Sequence, residues 1–363
     1  MKKVSFASSK EGDYHYRQLL GLVKEHLSSS TPENLVVPRV RAFMIVAAYI
    51  SCYLLALSQW GNLLVFYSLY AMMGILVVLL YLNVIHEAIH GTLFTREWLN
   101  NAFVHVLDLI GANSYVFKKR HVCLHHNFPN VEGWDSDIEQ AAFIKITPHG
   151  EAKPMHHVQH FTFCLLYPFY LVNWVFVRDF RDFFSATRVV RKLVRKIPAI
   201  EYVKLFVFKA TFIGYMFVIP VILGMKWNYA LAGLFCMLMV GGLFALLVLL
   251  TPHVNFTNTF PLPEENDKIE GGWFMHQLNT TNDISSHNWV TENIMGNFNY
   301  HLAHHLFPHI AYVHAPEVTK IIADYAKRHK LNYRSYPLGK ALVYHYELLK
   351  RNASPDELFE DDM

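Results

Sequence analysis

The sequence predicts an all-α, multi-pass membrane protein. Two transmembrane helical hairpins, four spans in all, are capped by a cytoplasmic helical domain holding a histidine-rich di-metal site. Three observations lead there. Of 363 residues, 53% are hydrophobic and only 17% charged, where an ordinary soluble domain has about 45–50% and about 25%. Four runs are long, apolar and nearly free of charge. The chain also carries 22 histidines, and the clustered ones sit against the ends of those runs. The same composition excludes a disordered or collagen-like chain. Four scattered cysteines (Cys52, Cys123, Cys164, Cys236) with no CxxC pair point to reduced thiols, not to a disulfide scaffold or a zinc ribbon. A net charge of +3 is too small and too dispersed for nucleic acid.

In chain order, residues 1–37 are polar and mixed, an N-terminal cytoplasmic segment with no cleavable signal before the first apolar run. Residues 38–345 form the main domain, and 346–363 a C-terminal tail whose end, residues 360–363, is expected to fray. The spans are residues 42–58, 62–85, 205–223 and 228–251, each matched to the roughly 20 helical residues a hydrocarbon core requires. The second and fourth hold 24 residues each without Asp, Glu, Lys or Arg. Lys209 alone interrupts the third, near enough to its start to snorkel. Tight turns at 59–61 and 224–227 pair the spans into hairpins. The loop 86–204 carries 14 Lys and Arg, the two turns only Lys226. The positive-inside rule therefore places the loop, both termini and the histidines on the cytoplasmic side.

Residues 99–112 and 161–177 are semi-apolar and read as interfacial or partly re-entrant helices, with a re-entering span as the alternative. The basic stretch 188–196 (RVVRKLVRK) reads as a headgroup-facing flank of the third span, or as a docking patch for an acidic redox partner. Beyond Pro308, Pro316 at a first-turn position with Val318, Ile321, Ile322 and Tyr325 at helical spacing predicts a soluble amphipathic helix.

Three histidine clusters carry the chemistry. His86-Glu87-Ala88-Ile89-His90 closes the second span, His121-Val-Cys-Leu-His125-His126 follows in the loop, and His301-Leu-Ala-His304-His305 lies beyond the fourth span. At about 100° per helical residue, His86 and His90 share one face, one turn apart. His301, His304 and His305 share another. His126 falls about 140° from His121 on the same wheel. With Asn127, Pro129 and Asn130 following, that predicts a helix that ends or distorts at this point. Eight histidines exceed one ion's needs, since zinc takes four ligands. Two ions with about four imidazoles each is the economical reading, and imidazole serves Fe, Cu, Zn and Ni alike.

Other readings remain open at this level. HEAIH is literally the H-E-x-x-H pattern of zinc proteases, here of an intramembrane kind, although a protease leaves two clusters without a task. A histidine-lined metal transporter wants ionisable groups near the middle of its spans, which these spans lack. His149, His156, His157 and His160 read as structural. His309 and His314 follow the third cluster without a clear part in it. Asp135 and Asp137 read as carboxylates that orient ligand imidazoles, or equally as solvated surface groups.

HEAIH, HVCLHH and NYHLAHHLFPH, each behind an apolar hairpin, together resemble the membrane fatty acid desaturase family. The likeness extends through PHVNFTNTFPLPEEND, WFMHQLNTTND and HLFPHIAYVHAP, from about Tyr81 to the tail. It is similar especially to bacterial and front-end acyl desaturases, whose third box commonly starts with Gln where this chain has His301. The resemblance implies a di-iron centre on His86, His90, His121, His125, His126, His301, His304 and His305, with O2 as co-substrate. It also implies a further ligand upstream of the third box, for which His276 is the choice and His253 the runner-up. Asn279 or Asn282 would hold a water instead. The substrate implied is a fatty acyl chain carried on lipid, CoA or carrier protein. No His-Pro-Gly-Gly haem motif precedes the spans, so electrons are expected from a separate ferredoxin or small cytochrome. Membrane hydroxylases and ketolases of the same superfamily share this cage and form the alternative activity.

Overall fold

A long run of Leu, Val, Ile, Met and Phe can satisfy its own backbone away from water only as a helix, and helices dominate the computed structural model. It describes residues 4–28, 36–139 and 143–353. The terminal residues 360–363, expected to fray, lie outside the described residues, as do 29–35 of the N-terminal segment. Among the described residues the strands are two parallel pairs of two residues, Ser5–Phe6 with Lys268–Ile269 and Asp283–Ile284 with Ser335–Tyr336.

Among the described residues, five helical stretches are long and apolar enough to cross a membrane: Val36–Ser58, Leu63–His90, Pro154–Leu193, Ala199–Ile222 and Trp227–Leu249. Four coincide with the apolar runs of the sequence. The fifth contains 161–177, expected as an interfacial or re-entrant piece. Pro168 does not end it, because it sits in the first turn of a short 3₁₀ segment, Tyr167–Phe169, where a missing N–H costs little. The other semi-apolar stretch is two short helices, Glu97–Val104 and Val106–Leu109, meeting at His105.

The chain divides into two compact units. One comprises residues 35–119 and 164–248. Its Leu63–Leu80 and Trp227–Leu249 helices touch backbone to backbone. A Cβ on Gly74 would collide with the Met237 carbonyl oxygen, and one on Gly241 would lie 2.8 Å from the Gly74 carbonyl oxygen. Small residues at such crossings let van der Waals contact hold helices where lipid removes the hydrophobic drive. A π-turn at Gly214–Val218 interrupts the helical ladder, and the carbonyls of Tyr215 and Met216 accept hydrogen bonds from the Tyr53 and Tyr70 hydroxyls at 2.6 and 2.8 Å. Lys209 does not snorkel. It is buried, its Nζ 2.7 Å from Asp179 Oδ2 and donating to the Gly111 carbonyl at 2.5 Å. A carboxylate within reach makes an escape to the interface unnecessary.

The other unit comprises residues 1–34, 120–163 and 249–363. Its N-terminal helix, Lys10–Ser28, buries Leu19 and Val23 in a core with Phe274, Leu302, Ala303, Leu306 and Phe307. The amphipathic helix expected beyond Pro308 is Ala315–His329, with Pro316 in its first turn and Val318, Ile322 and Tyr325 in the same core. The short helix His301–Leu306 is thereby anchored on one side by Leu302, Ala303 and Leu306. In the Leu338–Arg351 helix, the buried His345 places Nδ1 2.7 Å from the Val254 carbonyl oxygen. All four cysteines are unpaired.

Gly74→Val should lower the melting temperature of the detergent-solubilised protein by several degrees or block folding. Gly214→Ala, whose Cβ meets nothing within 4 Å, should leave it nearly unchanged. His345 supplies a pH test. Burial pushes its pKa from 6.5 down to about 4, so the folded state resists a proton that the unfolded state accepts. Its stabilising contribution is full above pH 6.5 and is lost as pH falls towards 4, amounting to about 3 kcal/mol. Thermal unfolding of His345→Gln should therefore show a shallower decline over that pH window than the parent protein.

Candidate metal centre

The second histidine cluster distorts where the helical wheel and the following Asn127, Pro129 and Asn130 predict a break. Lys119–His125 is a π-turn, and the His126 N–H donates to the His121 carbonyl at 3.0 Å. A bond to the fifth residue back closes a wider turn, so the helix distorts without ending at His121. His126 stands over His121 with Nε2 atoms 3.2 Å apart, and the 140° offset disappears. The helical element closes at His125, and the chain then turns away through Asn130, whose φ is +60°. The adjacent rings of His125 and His126 serve different sets, and the wider turn is what joins His126 to His121.

The first set is His125, His253, His301 and His305, each offering a nitrogen within 4.8 Å of the others and all buried. His253 Nε2 lies 2.8 Å from His301 Nε2 and 3.0 Å from His305 Nε2. The His125 ring stands 4.7 Å from that of His253 and 5.0 Å from that of His305, centre to centre. In the same unit His121, His126 and His304 form a second convergence, with the His126 and His304 rings 4.5 Å apart.

The far side of each ring decides what the convergence can hold. His253 Nδ1 meets the Thr280 carbonyl oxygen at 3.0 Å, His305 Nδ1 the Gln277 amide oxygen at 3.1 Å, and His125 Nδ1 the Asp135 carboxylate at 3.1 and 3.2 Å. These partners only accept, so each Nδ1 carries its proton and each Nε2 presents a lone pair. Asp135 is itself held by the N–H groups of Asn130 and Asp137, both at 2.8 Å. The Nε2 lone pairs of His253 and His305 thus face each other at 3.0 Å with no proton to join them. Burial, reinforced by neighbouring imidazoles, holds both histidines well below the usual range, so protonation does not relieve the contact at neutral pH. A cation among the four rings does. Neutral imidazole is the ligand form, and an acceptor behind the ring is the usual second contact of a metal-bound histidine. The donor set fits a metal.

Residues 58–337 match the fatty acid desaturase family. The chain belongs to that family. The acyl-lipid (8-3)-desaturase of Physcomitrium patens is 28% identical over 363 residues, covering 96% of this chain and 73% of its own length. The sn-1 linoleoyl-lipid 6-desaturase of Arthrospira platensis is 29% identical over 281 residues, 74% of this chain and 73% of its own. A protein of the same description from Synechocystis sp. is 27% identical over 262 residues, 72% and 73%.

Within this desaturase, the upstream histidine that joins the boxes is His253. His276 joins no metal-capable group among the described residues: its ring lies against Phe6, centres 5.1 Å apart, it bonds to the Pro129 carbonyl, and burial pushes it down to about 4. The side-chain oxygen of Asn282 is occupied by Asn255 and Asn258 at 2.6 and 3.1 Å, and that of Asn279 by Asn332, so neither is placed to hold a water among the rings. His86 and His90 belong to the other unit. There they are buried one turn apart with ring centres 5.0 Å apart, between a π-turn at Tyr81–Ile85 and a left-handed Gly91 at φ +76°. Glu87 between them accepts a hydrogen bond from Thr92 Oγ1 at 2.7 Å. His149 contacts the Phe260 carbonyl, and His156 accepts from the Lys153 N–H. Neither these nor His157, His160, His309 and His314 join a metal-capable group among the described residues. Asp135 takes the orienting part that spacing allowed. Gln277 and Asn130 have no counterpart in the spacing argument, since neither type is a metal ligand and helical periodicity does not rank them. Metal analysis of purified variants should find about one equivalent per chain lost in His253→Ala and none in His276→Ala.

Proposed function

We propose that this chain is an O2-dependent, membrane-bound di-iron fatty acyl desaturase acting on a chain carried by a lipid. The observation that carries the proposal is a buried set of neutral imidazoles with converging lone pairs, in a member of the fatty acid desaturase family. One iron is assigned to His125, His253, His301 and His305. The other is assigned to His121, His126 and His304; His86 and His90 are retained as ligands on the spacing of the first box, whose shared helical face suits a common ion. His253 takes the place first given to His276. A lipid-linked substrate is supported by the relatives, described as acyl-lipid and linoleoyl-lipid desaturases. The two hairpins are taken as the spanning elements, with boxes and termini cytoplasmic. Support for this side comes from 14 Lys and Arg between the hairpins against one in the hairpin turns.

A bound iron pair would supply the reduction of dioxygen, with two electrons from a separate ferredoxin or small cytochrome, two protons and one hydrogen from each of two adjacent methylenes yielding two waters and a double bond. The residues of the chain do the positioning. Asp135, Gln277 and Thr280 keep the proton on Nδ1 of three ligands and so aim Nε2 inward. Burial of all the box rings except that of His304, which is partly buried, limits water at the site. Apolar contact with the acyl chain supplies binding at about 0.8 kcal/mol per buried methylene.

Expression in a host of simple lipid profile should yield a new unsaturated acid by gas chromatography. A hydroxy acid in its place would move the assignment to the hydroxylases. His125→Ala and His304→Ala should abolish the product, His156→Ala should not, and the purified protein should carry about two irons per chain.

A further inference from the structure

Gln277 is wholly buried, and each of its amide ends is committed. Its Nε2 donates to the His126 backbone carbonyl at 3.0 Å, and its Oε1 faces His305 Nδ1 at 3.1 Å. The assignment is forced in sequence. A backbone carbonyl can only accept, so the amide nitrogen must face His126. The oxygen must then face His305, so His305 must carry its proton on Nδ1 and present its lone pair at Nε2. We propose that Gln277 is a positioning residue that sets the tautomer and ring orientation of His305 from the backbone of the second histidine box, and thereby tunes one metal ion of the pair. The inference rests on the two-ion reading of the boxes.

The selectivity follows from the contacts. Gln277 touches His126 only through its backbone oxygen, whereas it touches the ring of His305, which belongs to the set with His125, His253 and His301. The other ligands of that set take their orientation elsewhere, His253 from the Thr280 carbonyl and His125 from Asp135. Without the amide oxygen, the buried Nδ1–H of His305 loses its acceptor. The ring then turns, or its proton moves to Nε2 and blocks the lone pair. Loss of such a contact typically weakens metal binding by about 10–100-fold.

The test is titration of the metal-free, full-length protein in detergent with cobalt(II), following the visible absorption of each bound ion, for the parent, Gln277→Leu and Gln277→Glu. The parent should take up two ions. Gln277→Leu should bind one as the parent does and the other about 10–100-fold more weakly. Gln277→Glu gives up the N–H that donates to the His126 carbonyl but keeps an oxygen for His305, and that oxygen is now a charged acceptor that raises the basicity of the ring. It should retain both ions and shift the spectrum of one. Parent protein that fails to bind two ions would overturn the two-ion reading itself. With two ions bound in the parent, equal affinities in Gln277→Leu, or equal weakening of both ions alongside a lowered melting temperature of the metal-free protein, would overturn the role of Gln277. Should Gln277→Leu not fold, an unshifted spectrum in Gln277→Glu is sufficient to do so.

Discussion

Two uncharged imidazoles whose lone pairs face each other at 3.0 Å cannot be neighbours for their own sake. That contact is the constraint on which the histidine-bearing unit depends. Each ring involved has its outer nitrogen committed to an acceptor and lies in surroundings that disfavour its protonated form. A cation between the rings makes the arrangement favourable, and binding free energy of that kind is shared with folding. The apolar core behind the third box supplies the rest. Leu302, Ala303 and Leu306 lock one face of a six-residue helix that is far too short to be stable alone, with Leu19 and Val23 of the N-terminal helix packed on the same cluster.

Wider helical turns recur at the places that matter. The π-turn at Lys119–His125 brings His126 over His121, a pair that a regular helix with its 100° step leaves about 140° apart. Another, Tyr81–Ile85, directly precedes His86. A third, Gly214–Val218, has carbonyls that accept hydrogen bonds from tyrosine hydroxyls of two other helices. One inserted residue in a helix is a small local defect. Here it re-aims rings and creates bonding points between helices.

The apolar unit solves a different problem with few polar groups. Glycines at 74 and 241 bring two helices into backbone contact, where bulkier residues would hold them apart. Lys209 and Asp179 form a buried pair that also reaches the Gly111 carbonyl, joining three segments distant in sequence. Removing either partner alone would leave an uncompensated charge, which is far costlier than losing both.

The long apolar helices and the three boxes were legible because their signals are local. Twenty-four consecutive residues without charge, or histidines three and four apart, state their helical consequence directly. The face carrying His301, His304 and His305 opposite Leu302 and Leu306 follows from the same periodicity. Periodicity alone could not choose between His253 and His276, because both are single histidines and the choice depends on which loop folds back over the third box. Nor could it reveal that Lys209 meets Asp179, that 161–177 belongs to one long helix, or that a turn of the second box would widen. Composition and spacing therefore determined that helices, membrane-length runs and a metal-seeking imidazole set exist in this chain. Which rings converge, and which acceptors aim them, was decided by tertiary packing, because those contacts join residues whose separation along the chain carries no periodic signal.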